Sequence, residues 1–510
     1  MDRIGTVVEG ASPQSFRFQA DTDVTVPLHE YVVVDVDEYG VGTVQVLGEI
    51  VNVNAVDPLA RPGMAGDRTY PRPAGYTLME VEVLGYKKEG RLIRPKTAPR
   101  PNSPVYRAED HLLKEFFKGE EDKIPIEVGN LVNRPKVPVR VHLQDLEFHL
   151  AILAMTRAGK SYLAGKIMEE ILRNTNFPVI AIDFHGDYVM MDWMAEGNDV
   201  HGEFDVVVYY PPGAPRVPGV TAKQRTLNIS PKQIPHRAFC QLLGPELGSL
   251  QRIELRNAIE KLSKKGDFGI EDLIDMFREK IENEKSTTKE KERLATILMR
   301  LEDLKEDIPL GREPFNVEEL LRPKTLSVIC LRGLRSRIQD TYVGMLVDLL
   351  FRHLVENSGD PAKAPPTFLF IEEAHRVASK GGSRYAVRAV STAIREGAKF
   401  GLFITLISQR PRSIDPDILA NVGNYAVLKI VNSQDQSMIE SASESFSQRL
   451  VGDLPSLNRG EAVLVGPFTP LPVQIKVGAR MTVHKGVTPR LRELDRVIGE
   501  TLERARRERW

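Results

Sequence analysis

The hydrophobic pattern changes period along the chain. Before about residue 90, short β-rich runs (Thr6–Val8, Tyr31–Val36, Val41–Val56, Tyr76–Leu84) are separated by Gly, Pro and Asp, a spacing that predicts a small all-β barrel or sandwich. From Arg91 to Tyr106 the chain is rich in proline and basic residues and reads as a semi-rigid connector, followed by a short helix over Asp110–Phe117. From Leu150 onward, brief apolar runs alternate with stretches of helical period. The runs LAIL, PVIAID (Pro178–Asp183), FDVVVYYPP (Phe204–Pro212), LSVICL (Leu326–Leu331), TFLFIEEAH (Thr367–His375) and LFITLISQR (Leu402–Arg410) predict buried strands, with two more at Tyr425–Val431 and Glu461–Val465. Leu163, Ile167, Ile171 and Leu172 mark a helix after the first run, and an amphipathic helix is expected over Thr341–Val355. From His236 to about Asp307 the pattern is polar and helical, with apolar stripes, and reads as a helical subdomain inserted between strands. A last helix is expected from Pro489, with Leu491, Leu494, Ile498 and Leu502 on one face.

Composition adds bounds rather than a direction. The 510 residues are 42% hydrophobic and 27% charged, with a net charge of −1, as in an ordinary globular protein of two to four domains. The near-zero total gives no global sign of nucleic-acid binding, although a basic channel remains compatible with it. No apolar run approaches the roughly 18 residues of a membrane span, and Met1–Gly10 lacks a secretory pattern, so a cytoplasmic location without membrane contact is expected. The two cysteines, Cys240 and Cys330, lack metal-ligand spacing and read as reduced thiols.

Chemistry concentrates where strands end. The stretch LAILAMTRAGKS places Gly159-Lys160-Ser161 between a strand and a helix, the context of a phosphate-binding loop. Loop amides face the anion, Lys160 reaches the β- and γ-phosphates, and the Ser161 hydroxyl ligates Mg²⁺. Ala154 stands where the motif has glycine, which a negative φ tolerates. At the end of TFLFIEEAH, Glu372 can hold the magnesium, directly or through water, and Glu373 can polarise the attacking water. Asp183 and His185 follow another strand, Asp183 reading equally as a turn residue or a polarising group. Gln409 ends a third strand as a candidate γ-phosphate sensor. Arg395 can serve as an arginine finger for its own nucleotide or a neighbour's, or can cap its helix.

The phosphate loop, DFHGDY, FIEEAH, REGAKFG and ISQRP, in this order, resemble the HerA family of hexameric DNA translocases within the HerA/FtsK group of P-loop ATPases. The resemblance covers nearly the whole chain. It implies an α/β fold: a RecA-like P-loop ATPase core with an N-terminal small β-barrel and an inserted helical subdomain. The segments are then 1–95 barrel, 96–140 linker and short helix, 141–235 and 311–485 core, 236–310 helical insertion and 486–510 C-terminal brace. ATP and Mg²⁺ are the implied cofactors, held by Ala154, Met155, Thr156, Arg157, Ala158, Gly159, Lys160, Ser161 and Tyr162. Asp183 is placed beside the nucleotide and Gln409 as sensor. Ala398 occupies a place where relatives carry a second arginine, which leaves Arg395 as the candidate finger. The resemblance also implies a ring of six subunits with duplex or single-stranded DNA in its pore, Arg216, Lys380 and Arg384 being candidate pore residues. It further implies a NurA-type nuclease partner in DNA end resection for recombinational repair. A protein-moving or rotary ATPase, or a small-molecule kinase, are the competing readings; the tandem glutamates favour hydrolysis over transfer to a metabolite.

Overall fold

A computed structural model describes residues 1–56, 75–118, 123–194, 203–244, 247–283, 287–381, 383–443 and 446–484 of the protein. The chain forms two compact units: Met1–Gln144 with Leu464–Gly478, and Asp145–Val463 with the described residues after Gly478. The helix expected from Pro489 lies outside the described residues.

The first unit opens with β1 (Arg3–Val7), β2 (Ser15–Ala20), β3 (Tyr31–Glu38), β4 (Gly42–Val56), β5 (Tyr76–Lys88), β6 (Arg91–Ile93) and β7 (Pro104–Arg107). Their order is β2-β1-β7-β3-β4-β5, and β2 also pairs with β5, which closes a six-stranded barrel; β6 extends β5 outside it. Period-two alternation fills the barrel. Phe16, Phe18 and Ala20 point inward while Arg17 and Gln19 face out, and Val32, Val34, Val46, Ile50, Met79 and Val81 complete the core. Register shifts between Leu47 and Gly48 and between Ile50 and Asn52 bend the long β4 around it. The stretch Arg91–Tyr106, expected as a connector, instead supplies β6 and most of β7. Pro104 sits at the first position of β7, where a missing N–H is tolerated. Then come α1 (Asp110–Phe117), β8 (Pro125–Leu131) and β9 (Arg134–His142).

The second unit carries β10 (Leu150–Leu153), α2 (Lys160–Asn174), β11 (Val179–Asp183), β12 (Asp205–Tyr210) and β13 (Lys223–Thr226). The helical insertion follows as α3 (His236–Leu242), α4 (Ser249–Lys265), α5 (Ile270–Glu282) and α6 (Thr288–Asp307). The core resumes with β14 (Thr325–Cys330), α7 (Ser336–Glu356), β15 (Thr367–Ile371), α8 (Arg384–Glu396) and β16 (Leu402–Ser408). It ends with α9 (Pro416–Leu419), β17 (Asn424–Leu428), α10 (Ser433–Ala442), α11 (Gln448–Asp453) and β18 (Glu461–Val465). The strands stand in the order β13-β12-β14-β11-β15-β16-β10-β17, every pair parallel. Helices cover both faces of such a sheet, so its central strands are apolar throughout: LAIL, VIAID, TLSVIC and TFLFI are buried at every position. β19 (Val473–Val477) returns to the first unit, antiparallel to β8.

This order separates β10 from β11 by two strands, with β16 between β10 and β15. The loops leaving β10, β16, β15 and β11 therefore lie side by side at the carboxyl edge of the sheet, where ligands of open α/β sheets bind.

Candidate active site

The loop after β10 is fixed by its own backbone. The Ala154 N–H donates to the Ser408 carbonyl at 3.1 Å, and that of Met155 to the Lys429 carbonyl at 2.9 Å, pinning the loop to the exits of β16 and β17. Ala154 is fully buried and keeps a negative φ, so alanine fits there. Arg157 turns the chain at φ 65° and Gly159 at φ 114°. The first is a strained position for an arginine, by about 1–2 kcal/mol; the second favours glycine. Gly159 caps α2 without any side-chain bond, so the first amides of the helix keep their donors free for an anion.

Against this loop stands the end of β15. Lys160 Nζ lies 3.2 Å from Glu373 Oε1 and 3.9 Å from Glu372 Oε1. The Ser161 hydroxyl donates to Glu372 Oε1 at 3.0 Å, and the Tyr188 hydroxyl donates to the same oxygen at 3.0 Å. The other carboxylate oxygen of Glu372 is buried and has no hydrogen-bond partner among the described residues. The two glutamates are held in opposite states. Burial, joined by the charges of Asp183 and Asp187, pushes the Glu372 carboxyl up to about 8 against the pull of Lys160. Burial works the same way on Glu373, but bonding to His185 and the charge and bond of Lys160 outweigh it and hold its carboxyl down at about 2. Burial lowers the Lys160 ammonium, and the two glutamates more than restore it. Glu373 also sits at φ 43°, in the left-handed region, with His375 Nδ1 at 3.3 Å and His185 Nε2 at 3.5 Å. A charged carboxylate at a strained turn beside a phosphate-loop lysine is the arrangement of a nucleotide-hydrolysing site.

Sequence comparisons give the family. The family profile described as the central domain of helicase HerA matches residues 126–350. A probable helicase of Methanocaldococcus jannaschii is 32% identical over 427 residues, covering 79% of this chain and 76% of its own. The chain belongs to the HerA helicase family. DNA double-strand break repair helicases HerA from Pyrococcus furiosus (29% identical over 437 residues, 78% of this chain and 76% of its own) and Saccharolobus solfataricus (25% over 494, 93% and 92%) are also similar. The plasmid coupling protein TrwB, solved in complex with ADP and Mg²⁺, shares the fold at a TM-score of 0.51 and 16% identity, over 74% of this chain and 94% of its own. HerA membership makes the protein an enzyme of the ATP-dependent helicase class with a RecA-like core.

The remaining candidates of this HerA-family chain fall into three groups. Gln409, just past β16, accepts the Thr156 hydroxyl at 2.8 Å and so joins the phosphate loop. Tyr162 stands on α2 with its hydroxyl accepting the Arg480 N–H at 2.9 Å and its ring edge-on to His484.

Asp183 takes the turn-residue reading of the two its position offered. Its carboxylate accepts the backbone N–H groups of His185, Gly186, Asp187 and Tyr188 at 2.7–3.1 Å and is fully buried, so it shapes the turn that presents His185 and Tyr188. Arg395 is exposed at the end of α8. The carbonyl of its neighbour Ile394 meets His149 Nε2 at 2.6 Å, immediately before β10. The phosphate loop leaves the far end of β10, about 13 Å away along four residues of strand, so Arg395 does not reach the nucleotide site of its own chain.

Arg216 lies exposed in the loop after β12, its guanidinium 5.4 Å from the Tyr210 ring and bonded to Gln224. Lys380 is exposed near Asp415 at 3.9 Å, and Arg384 opens α8 at the surface. Sequence reading did not single out Tyr188 or His375. Each ends or follows a motif already in view (DFHGDY, FIEEAH), but its contact with a glutamate depends on strand order. Among the described residues no group of three or more His, Cys, Asp or Glu could hold a metal, and no helix is long and apolar enough to cross a membrane.

Proposed function

We propose that the protein is an ATP-driven DNA translocase that works as a ring, in concert with a nuclease, to process DNA ends. The observation that carries the proposal is the junction of phosphate loop and acidic strand: Lys160 beside Glu373, and Ser161 beside Glu372.

Ser161 and Glu372 would hold the magnesium. The buried free oxygen of Glu372 suits a hard cation, and a hydroxyl, one carboxylate and phosphate oxygens are the usual protein share of its shell. The ion supplies charge neutralisation on the phosphates. The Lys160 ammonium is paired with Glu373. An arriving triphosphate competes for that ammonium, and release from it raises the basicity of Glu373 from its low starting point. Glu373 then takes a proton from the water that attacks the γ-phosphorus; the bond to the β-γ bridging oxygen breaks, and ADP and phosphate leave. Thr156 and Gln409 report the γ-phosphate to β16. Because Arg395 lies at the opposite edge of the sheet, its finger role is reserved for the nucleotide of a neighbouring copy.

The DNA substrate and repair setting come from the family and from the repair helicases this chain resembles. Arg216, Lys380 and Arg384, exposed on loops and helix starts at the carboxyl edge, would contact the phosphate backbone without reading bases. The six-membered ring, the NurA-type nuclease and the docking role of the barrel are parts of the same proposal. The test is the ATPase rate with and without linear duplex DNA, measured beside native mass. Stimulation by DNA in an assembled ring is expected; an assembled ring whose hydrolysis ignores DNA overturns the reading.

A further inference from the structure

A basic recess lies between the helical insertion and the first turns of α7 and α8. It encloses about 800 Å³ and is lined by His236, Arg237, Arg252, Arg337 and Arg384, with Thr341 at its wall and no carboxylate among the described lining residues. Arg337 is shared with Asp307 at 3.0 Å, and Arg252 Nε donates to the Leu247 carbonyl at 2.9 Å. Arg237 and Arg384 have no carboxylate partner among the described residues. α7 and α8 are long helices that start here without a side-chain cap bond, which adds two positive helix ends to the arginines. The phenol ring of Tyr385 is only 6% exposed, so besides the His236 imidazole and the arginine planes the recess offers chiefly positive charge and hydroxyls. Concentrated positive charge with no opposing carboxylate among the described lining residues fits a sugar-phosphate backbone.

The same turn of α7 reaches the hydrolytic site from its other side. Arg376 donates to Gln339 Oε1 at 2.6 Å and to the Ser336 carbonyl at 3.0 Å, and pairs with Asp340 at 2.7 Å. Its guanidinium lies 4.6 Å from the ring of Phe184, next to Asp183. Its own N–H donates to the Glu373 carbonyl at 2.9 Å, closing the turn that holds Glu373 at φ 43°. Arg337 and Thr341 on one side of the α7 turn, and Ser336, Gln339 and Asp340 on the other, make it a short rigid bridge between recess and glutamate.

We propose that this recess takes the phosphate backbone of the DNA strand and that Arg376 is the positioning residue that passes its occupancy to the Glu373 turn. The proposal rests on the DNA-translocase reading and adds Arg237 and Arg252 to the surface that DNA would touch.

The test uses the full chain, a labelled 40-base-pair duplex titrated at several salt concentrations, and steady-state ATP hydrolysis. Arg237→Gln with Arg252→Gln, both at exposed positions, is expected to weaken duplex binding at least tenfold and to lower the slope of log Kd against log salt by about 2. Arg376→Lys is expected to leave duplex Kd and the KM for MgATP within twofold while DNA-stimulated kcat falls about tenfold, a typical size for coupling between sites. Wild-type affinity and salt slope in the double variant overturn the recess. Loss of a second bound ATP analogue per chain in that variant, with duplex binding intact, also overturns it and gives the recess to a free nucleotide. Equal loss of basal and stimulated hydrolysis in Arg376→Lys overturns the relay. A wild-type chain that binds no duplex overturns the translocase reading itself, which separates the two failures.

Discussion

The barrel and the carboxyl edge of the parallel sheet both bury glutamates, and they use them in opposite ways. In the first unit Glu30 accepts the Tyr31 N–H at 2.9 Å and Arg134 Nε at 3.0 Å, and Glu38 accepts the N–H groups of Lys96 and Thr97 at 3.0–3.2 Å. Glu49 meets His29 Nδ1 at 2.8 Å. Each of these carboxylates fastens backbone or a neighbouring chain segment. At the sheet edge, Glu372 keeps one buried oxygen without a partner and Glu373 occupies a backbone conformation that costs energy to hold. A closed barrel leaves no free strand edges, and its buried carboxylates serve the fold. An open parallel sheet gathers the loops leaving its strands along one edge, and there the carboxyl groups are left unsatisfied enough to meet a ligand.

The contrast breaks most sharply at Glu373. Glu373→Gln should lower ATP hydrolysis by about 10²–10⁴-fold, the usual worth of a positioned base, while MgATP affinity stays within about threefold of wild type. Near-normal turnover in that variant removes the water-activating role. In the barrel, Phe18→Ala should cost about 3–5 kcal/mol of unfolding free energy, because Phe18 is fully buried. Hydrolysis per folded molecule should hardly change; chemical denaturation followed by barrel and nucleotide probes checks both halves. Lys160→Ala should weaken ATP binding by about ten- to a hundredfold, the 1.5–3 kcal/mol of a charged hydrogen bond, read by titration calorimetry.

The smallest effect is a pH slope. Glu372 rises from its ordinary 4.5 to about 8 in the fold, so the folded state binds the extra proton and stability falls as pH rises between those values. Glu373 drops to about 2, so its contribution is present above 4.5 and is lost as pH falls toward 2. Glu372→Gln should therefore flatten the neutral-side slope by at most about 1.4 kcal/mol per pH unit. An unchanged slope in urea unfolding from pH 5 to 8 means Glu372 is already ionised.

The parallel strands other than β13 were legible because both faces are buried and the runs are mainly apolar, whereas β13, KQRT, is polar and partly exposed. Pro178–Asp183 differs from β11 by one residue at its start, and Leu326–Leu331 from β14 by one residue at each end. In the barrel, SFRFQA hid β2 because Arg17 and Gln19 alternate with its phenylalanines, and basic, proline-rich composition concealed β7. α7 begins five residues before the expected Thr341, since its first turn is polar and is held by Arg376 and Asp307 rather than by apolar packing. Lys160, Ser161 and the tandem glutamates were visible as motifs at strand ends. Tyr188 and His375 were not, because their meeting with those glutamates follows from the order β11-β15-β16-β10, which no local pattern encodes. Arg395 is kept from the phosphate loop of its own chain by strand direction, since α8 ends where β16 and β10 begin.

One buried contact on α2 sets a lower limit on chain length. Glu169 and Arg480 are both almost wholly buried, and Arg480 Nε donates to Glu169 at 3.1 Å. The N–H groups of Met481 and Thr482 end on the same carboxylate. Gly165 makes the room: a Cβ there would stand 2.4 Å from the Arg480 guanidinium carbon. A truncation ahead of Arg480 would strand a bare carboxylate inside the helix that begins at Lys160, at a cost of about 3–5 kcal/mol. A version of this protein that keeps these partners of Glu169 therefore extends through Thr482.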